Sequence, residues 1–224
     1  MPENLKEVPD RNRPGRVLLA VVCLIVSLLA QSAYAGEPTE QMKKSIDSVI
    51  AILKNKSLKG PEKKAGRRAA IRKIVYGRFD FREMSKRALA LHWRRRTPKE
   101  RKEFVSLFAK LLEATYIEKI EKYSDEKVLY VDESVDDGYA EVRTKIITKT
   151  DTEIPIDYLL LKEGAKWMVY DVKIEGISLV ENYRTQFEEI ISSASYEDLV
   201  KKLKEKVHST RISRGDNVFP VVLS

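Results

Sequence analysis

YAEVRTKIITK, residues 139–149, decides how the chain is read. Ala140, Val142, Thr144, Ile146 and Thr148 alternate with Glu141, Arg143, Lys145 and Lys149. A period of two places alternate side chains on opposite faces of a strand, so this segment belongs to a sheet with one buried and one wet face. Upstream, VLYVDESV leads into Asp136-Asp137-Gly138, a hairpin signal. Downstream come IPIDYLLLK, the pair Glu163-Gly164, and KWMVYDVKI. Four consecutive antiparallel strands are the economical reading. Pro155, which cannot donate to a ladder, marks an exposed edge or a strand start.

Helical periodicity flanks this block on both sides. Residues 39–56 set Met42, Ile46, Val49, Ile50 and Leu53 on one face, and Lys59-Gly60-Pro61 ends them. Residues 62–76 form a strongly basic helix whose thin apolar component is Ala69, Ala70, Ile71, Ile74 and Val75. A third runs from about Asp80 to Leu91 and presents Phe81, Met84 and Ala88. Thr97-Pro98-Lys99-Glu100 is a capping box with proline at the first helical position. Behind it apolar residues recur at spacings of three and four from Phe104 to Tyr123, a helix ~39 Å long at 1.5 Å per residue. Ser178-Leu179-Val180-Glu181 opens another helix, carrying Tyr183 and Phe187, and Ser195 with Asp198 opens a last one to about Val207. Residues 209–224 lose periodicity and read as a loose tail; Arg214-Gly215-Asp216 within it is a chance tripeptide. Helices, a four-strand meander and more helices give an α+β fold: a four-stranded curved antiparallel sheet against a helical layer, cone-like (NTF2-like), with an internal apolar cavity.

The chain has 224 residues, 43% hydrophobic and 34% charged, enough for one domain with appendages. Residues 1–35 read as a Sec-type signal peptide: Arg11, Arg13 and Arg16, then 14 uncharged residues, then Ala33-Tyr34-Ala35 before Gly36. The apolar run is short for a spanning helix, which takes about 20 residues. Cleavage after Ala35 leaves a domain over 36–208 and the tail over 209–224. It also removes Cys23, the one cysteine, so the mature chain makes no internal disulfide and no thiolate metal site. A basic, cysteine-free exported chain is expected in the periplasm.

Chemistry-bearing motifs are missing. The two histidines, His92 and His208, are far apart, and there is no HExxH, GxSxG, phosphate loop or dinucleotide turn. No metal site and no cofactor are expected. Asp157 and Asp171 fall on neighbouring strands and offer an isomerase-like acid/base pair, against a plainer reading in which both face solvent or cap a sheet edge. Basic runs at Arg67-Arg68, Arg72-Lys73, Arg94-Arg95-Arg96 and Lys99 to Lys102 fit a solvated helix face, lipid head groups or an acidic partner. Export argues against nucleic acid.

Two blocks resemble a known family. Trp93, Thr97, Arg101, Phe104, Phe108, Leu112, Tyr116 and Tyr123 are similar to the W-x3-T-x3-R-x2-F-x3-F signature of the MlaC family, the periplasmic lipid-binding components of the Mla pathway, also called toluene-tolerance auxiliary proteins. Residues 167–187, WMVYDVKIEGISLVENYRTQF, resemble the family's W-x-VYDV-x-IEG-ISLV-x-NYR-x-QF stretch. The likeness runs from about Thr39 to Val207. Ala90 departs from it, standing where the pattern has glycine before the His-Trp pair, and bears on the turn into Trp93.

The resemblance implies a monomeric, non-enzymatic phospholipid shuttle that maintains outer-membrane lipid asymmetry. Its implied partners are an outer-membrane lipoprotein–porin complex and an inner-membrane ABC transporter with its substrate-binding ring. Exposing two acyl chains of about 15 CH2 each would cost on the order of 24 kcal/mol at ~0.8 kcal/mol per CH2, so the chains need a cavity. Its expected lining is Val142, Ile156, Tyr158, Val169 and Val172 from the sheet, Phe81, Met84, Phe108 and Leu111 from the helices, and Tyr183 and Phe187 from the closing helix. The alternatives are an isomerase-type enzyme using Asp157 or Asp171, or an adaptor with a filled core.

Overall fold

A computed structural model describes residues 36–122 and 126–212, backbone only at 210–212. The signal-peptide reading of 1–35, Tyr123 and the stretch 213–224 lie outside the described residues. The helices are α1 (Glu37–Lys54), α2 (Lys64–Arg78), α3 (Phe81–Leu89), α4 (Leu91–Arg94), α5 (Pro98–Glu121), α6 (Leu179–Ser193) and α7 (Tyr196–Ile212). The strands are β1 (Lys127–Asp136), β2 (Tyr139–Ile147), β3 (Glu153–Glu163), β4 (Lys166–Ile174) and β5 (Ile177–Ser178).

The sheet is antiparallel throughout, in the order β1-β2-β3-β4-β5. It has five strands rather than four. Asp137 and Gly138, both at positive φ, make the first hairpin turn. Glu175 and Gly176 do the same after β4, and the chain comes back for two residues as β5 before α6 starts. Pro155 lies near the start of β3, a central strand. Its carbonyl still accepts from the Glu175 amide at 2.9 Å.

Two apolar cores form, and they do not merge. In the sheet core, Ala140, Val142, Leu160, Trp167 and Val169 are buried beneath Met42 of α1. Fully burying a side chain such as Val142 or Leu160 stabilises the fold by about 1.5–3 kcal/mol. The helical core joins α3 to α7 around Phe104, Phe108, Tyr183 and Phe187, whose rings meet edge-to-face or tilted at 5.2–5.6 Å. Phe79 and Leu179 border both cores.

A bulge redirects β4. Leu159 pairs with Asp171 while Leu160 pairs with Val169, leaving Tyr170 as the extra residue. Parity flips there: Trp167 and Val169 face inward before it, Val172 and Ile174 after it. Of the two plain readings of Asp171, the second holds: it caps the sheet edge at β5 and does not face solvent. Its side chain is buried, and it holds the start of α6: Oδ2 accepts from the Ser178 hydroxyl at 2.5 Å and Oδ1 from the Val180 amide at 3.0 Å. Ser178 Oγ accepts in turn from the Glu181 amide. Asp157 is half-buried opposite Lys173, on the outer face with Arg143.

The long helix begins with the expected reciprocal capping box, in which Thr97 Oγ1 accepts from the Glu100 amide and Glu100 accepts from the Thr97 amide. α7 continues to Ile212, past the expected end near Val207. Between α3 and α4, Ala90 adopts φ 46° and ψ −118°, backbone that glycine takes freely and a Cβ resists. The departure at position 90 is therefore a strained turn into Trp93, which is buried all the same.

Two outcomes are expected in urea unfolding. Ala90→Gly raises stability by about 1 kcal/mol, relief of backbone strain exceeding the added chain entropy. Asp171→Ala lowers it by about 3 kcal/mol, because buried helix-start donors lose a charged acceptor, whereas Asp157→Asn changes it by under about 1 kcal/mol.

Candidate functional site

Where the two cores fail to meet there is a cavity of about 220 Å³. Its floor is two cross-strand pairs of β3 and β4, Ile156 with Ile174 and Tyr158 with Val172, just beyond the bulge. One wall is Ile71, Arg72, Val75 and Tyr76 of α2, continued by Phe79. The other is Leu112, Glu113, Tyr116, Ile117 and Ile120 of α5. Phe81 and Met84 of α3 and Leu179 of α6 complete it. An apolar void of about 150 Å³ already stays dry and admits benzene.

The lining is almost wholly apolar. Its carboxylate and its guanidinium are paired with each other: Arg72 Nε lies 2.9 and 2.8 Å from the two oxygens of Glu113, and Arg72 Nη2 also bonds Glu113. The hydrogen bond to Glu113 raises the Arg72 pKa, so the guanidinium stays charged. The phenols stay neutral at physiological pH. Burial pushes Tyr158 up to about 12 and raises Tyr76 and Tyr116 as well.

Arginines on α2 continue the link to α5 beyond Glu113. Arg67 and Arg68 share Glu121, and Arg68 also reaches Glu118 at 3.5 Å. Burial pushes the Glu121 carboxyl up, but the hydrogen bonds from Arg68 and Arg67 outweigh it and hold the group below the usual range. This part of the basic helix is thus a seam of ion pairs between the two cavity walls.

The residues expected from sequence divide. Phe81, Met84, Ile156, Tyr158 and Val172 line the cavity. Phe108, Leu111, Tyr183 and Phe187 pack in the helical core, and Val142 and Val169 in the sheet core. Neither Asp157 nor Asp171 is in the lining. The long helix was expected as a wall, but through Phe108 and Leu111 rather than Leu112, Tyr116, Ile117 and Ile120, and the wall from α2 went unnoticed. One signal was present. Leu111 with Leu112, and Tyr116 with Ile117, spread the apolar arc of α5 wider than one core-facing stripe requires, so the helix has two apolar neighbours.

Among the described residues no group of three or more His, Cys, Asp or Glu is placed to hold a metal ion. His92 meets Glu188 at 2.9 Å, joining α4 to α6. No described helix is long and apolar enough to cross a membrane.

The family model described as MlaC protein matches residues 43–205, most of the chain and every wall of the cavity. The chain belongs to the MlaC family. A relative within MlaC is the intermembrane phospholipid transport system binding protein of Haemophilus influenzae, 20% identical over 188 residues that make up 81% of this chain and 88% of that protein. Among solved structures, the fold is similar to a phospholipid-binding protein from Ralstonia solanacearum in complex with a phospholipid. The TM-score is 0.69 at 25% identity, over 79% of this chain and 99% of that one.

Core and cavity positions are expected to respond in opposite ways. Phe108→Ala costs about 3–5 kcal/mol in urea unfolding, as a large buried ring is lost from a packed core. Ile156→Trp fills existing space, costs under about 1.5 kcal/mol, and at least halves the lipid recovered by organic extraction.

Proposed function

We propose that this chain is a periplasmic phospholipid carrier. It shelters acyl chains in the cavity between its two cores and leaves the head group in water. The observation that carries the reading is the cavity itself: an apolar floor and walls whose charged lining residues are a mutually neutralised pair beside exposed Tyr76. Apolar chains gain from such a surface, and a polar small molecule finds few partners there. The named functions of the relatives, phospholipid transport and phospholipid binding, support the same class.

The finer parts of the reading follow from carriage. Residues 1–35 act as the export signal and are removed after Ala35. The mature chain works as a monomer and without turnover. It moves cargo between an inner-membrane ABC transporter with its substrate-binding ring and an outer-membrane lipoprotein–porin complex. Ile71, Val75, Phe79, Phe81, Met84, Ile156, Tyr158 and Val172 contact the acyl chains. Gross burial of those chains is large, but ordering and association costs leave a far smaller net affinity, so cargo can still be handed on.

Native mass spectrometry of protein purified from periplasm, followed by organic extraction, tests the proposal. The expected result is a stoichiometric phospholipid. A bare protein that also takes nothing from phosphatidylethanolamine–phosphatidylglycerol vesicles would overturn it.

A further inference from the structure

Of the cavity's lining residues, Arg72 and Tyr76 are the exposed ones, and both are on α2 facing α5. The exposed part of the lining therefore lies along the ion-pair seam, and we take it as the mouth. Arg67 and Arg68 are committed there, sharing one carboxylate whose side chain is only 10% exposed. Arg72 differs. Its side chain is 48% exposed, and Glu113 occupies only the edge formed by Nε and Nη2. No hydrogen bond engages Nη1 among the described residues.

An arginine fork has two edges that fit planar oxyanions, and phosphate suits it as well as carboxylate does. Glu113 holds the guanidinium by its Nε–Nη2 edge only. An acyl chain lying on Ile71 and Val75 brings whatever polar group it bears to this opening.

We propose that the Nη1 edge of Arg72, left open by Glu113, receives the phosphodiester of the lipid head group. The proposal rests on the carrier reading and adds to it a basis for choosing phosphorylated lipids over neutral ones with the same chains. Recognition stops at the phosphate. The substituent beyond it points into water, so phospholipids differing only there are taken alike.

The test is a competition. Protein is incubated with vesicles holding phosphatidylglycerol and diacylglycerol of identical chains in equal amount, then repurified, and its bound lipids are weighed by mass spectrometry. Wild type takes phosphatidylglycerol in preference. Arg72→Gln lowers the ratio about tenfold, the value of one charge-assisted hydrogen bond. Glu113→Gln breaks the same ion pair but keeps the guanidinium, so its ratio stays at or above that of wild type. Arg184→Gln, at an exposed pair on α6, serves as the control and leaves the ratio unchanged. Circular dichroism melts establish that each variant is folded.

A ratio within twofold of wild type in Arg72→Gln overturns the assignment. So does an equal fall in both variants, which would mean the pair only ties the helices together. Inorganic phosphate equimolar with lipid is expected to leave the wild-type ratio in place; if it abolishes the ratio, the edge belongs to free phosphate. If wild type takes up neither lipid, the carrier reading falls as well.

Discussion

The inward face of the sheet carries more apolar surface than α1 can cover, and the remaining architecture follows from that shortfall. Met42 and Ile46 seal the end bearing Val142, Leu160 and Val169. The other end, Ile156, Tyr158, Val172 and Ile174, faces the cavity. The helical core cannot move in to close the gap, because Phe104, Phe108, Tyr183 and Phe187 already saturate one another. Protein interiors are close-packed and stiff, so a mismatch between two filled cores persists as space.

Three polar devices keep that space from collapsing. Asp171 fixes the angle at which α6 leaves the sheet, which sets the distance between the cores. Arg78 Nη1 bonds Gln41 at 2.7 Å and the Trp167 carbonyl at 2.6 Å, anchoring the end of α2 to α1 and β4. The α2–α5 ion pairs hold the two walls at a side-chain-length separation. Each lies at the border of apolar surface rather than inside it, where a charge is cheapest to keep.

Much of the fold was legible because its signals are local. Alternation in residues 139–149, the Asp-Gly turn, and the boxes at Thr97 and Ser178 each fix an element without reference to the rest. The cavity was less legible. Phe81 and Ile156 have the same chemistry as Phe108 and Val142, and only tertiary placement separates wall from core. Asp171 is covered by β5 and the start of α6, contacts that the pattern of its own strand does not carry. The basic helix looked like a solvated face because its acidic partners lie some fifty residues away on α5.

The walls also have an order of assembly written into them. They come from residues 71–84, 112–120, 156–174 and 179, brought together from across the chain. Loop closure over such separations is slow relative to helix and hairpin formation, and contacts of this kind are gained late. No fragment of the chain contains a usable part of the chamber. Any guest therefore meets a finished structure and cannot serve as a template for it. For a carrier built this way, loading follows folding.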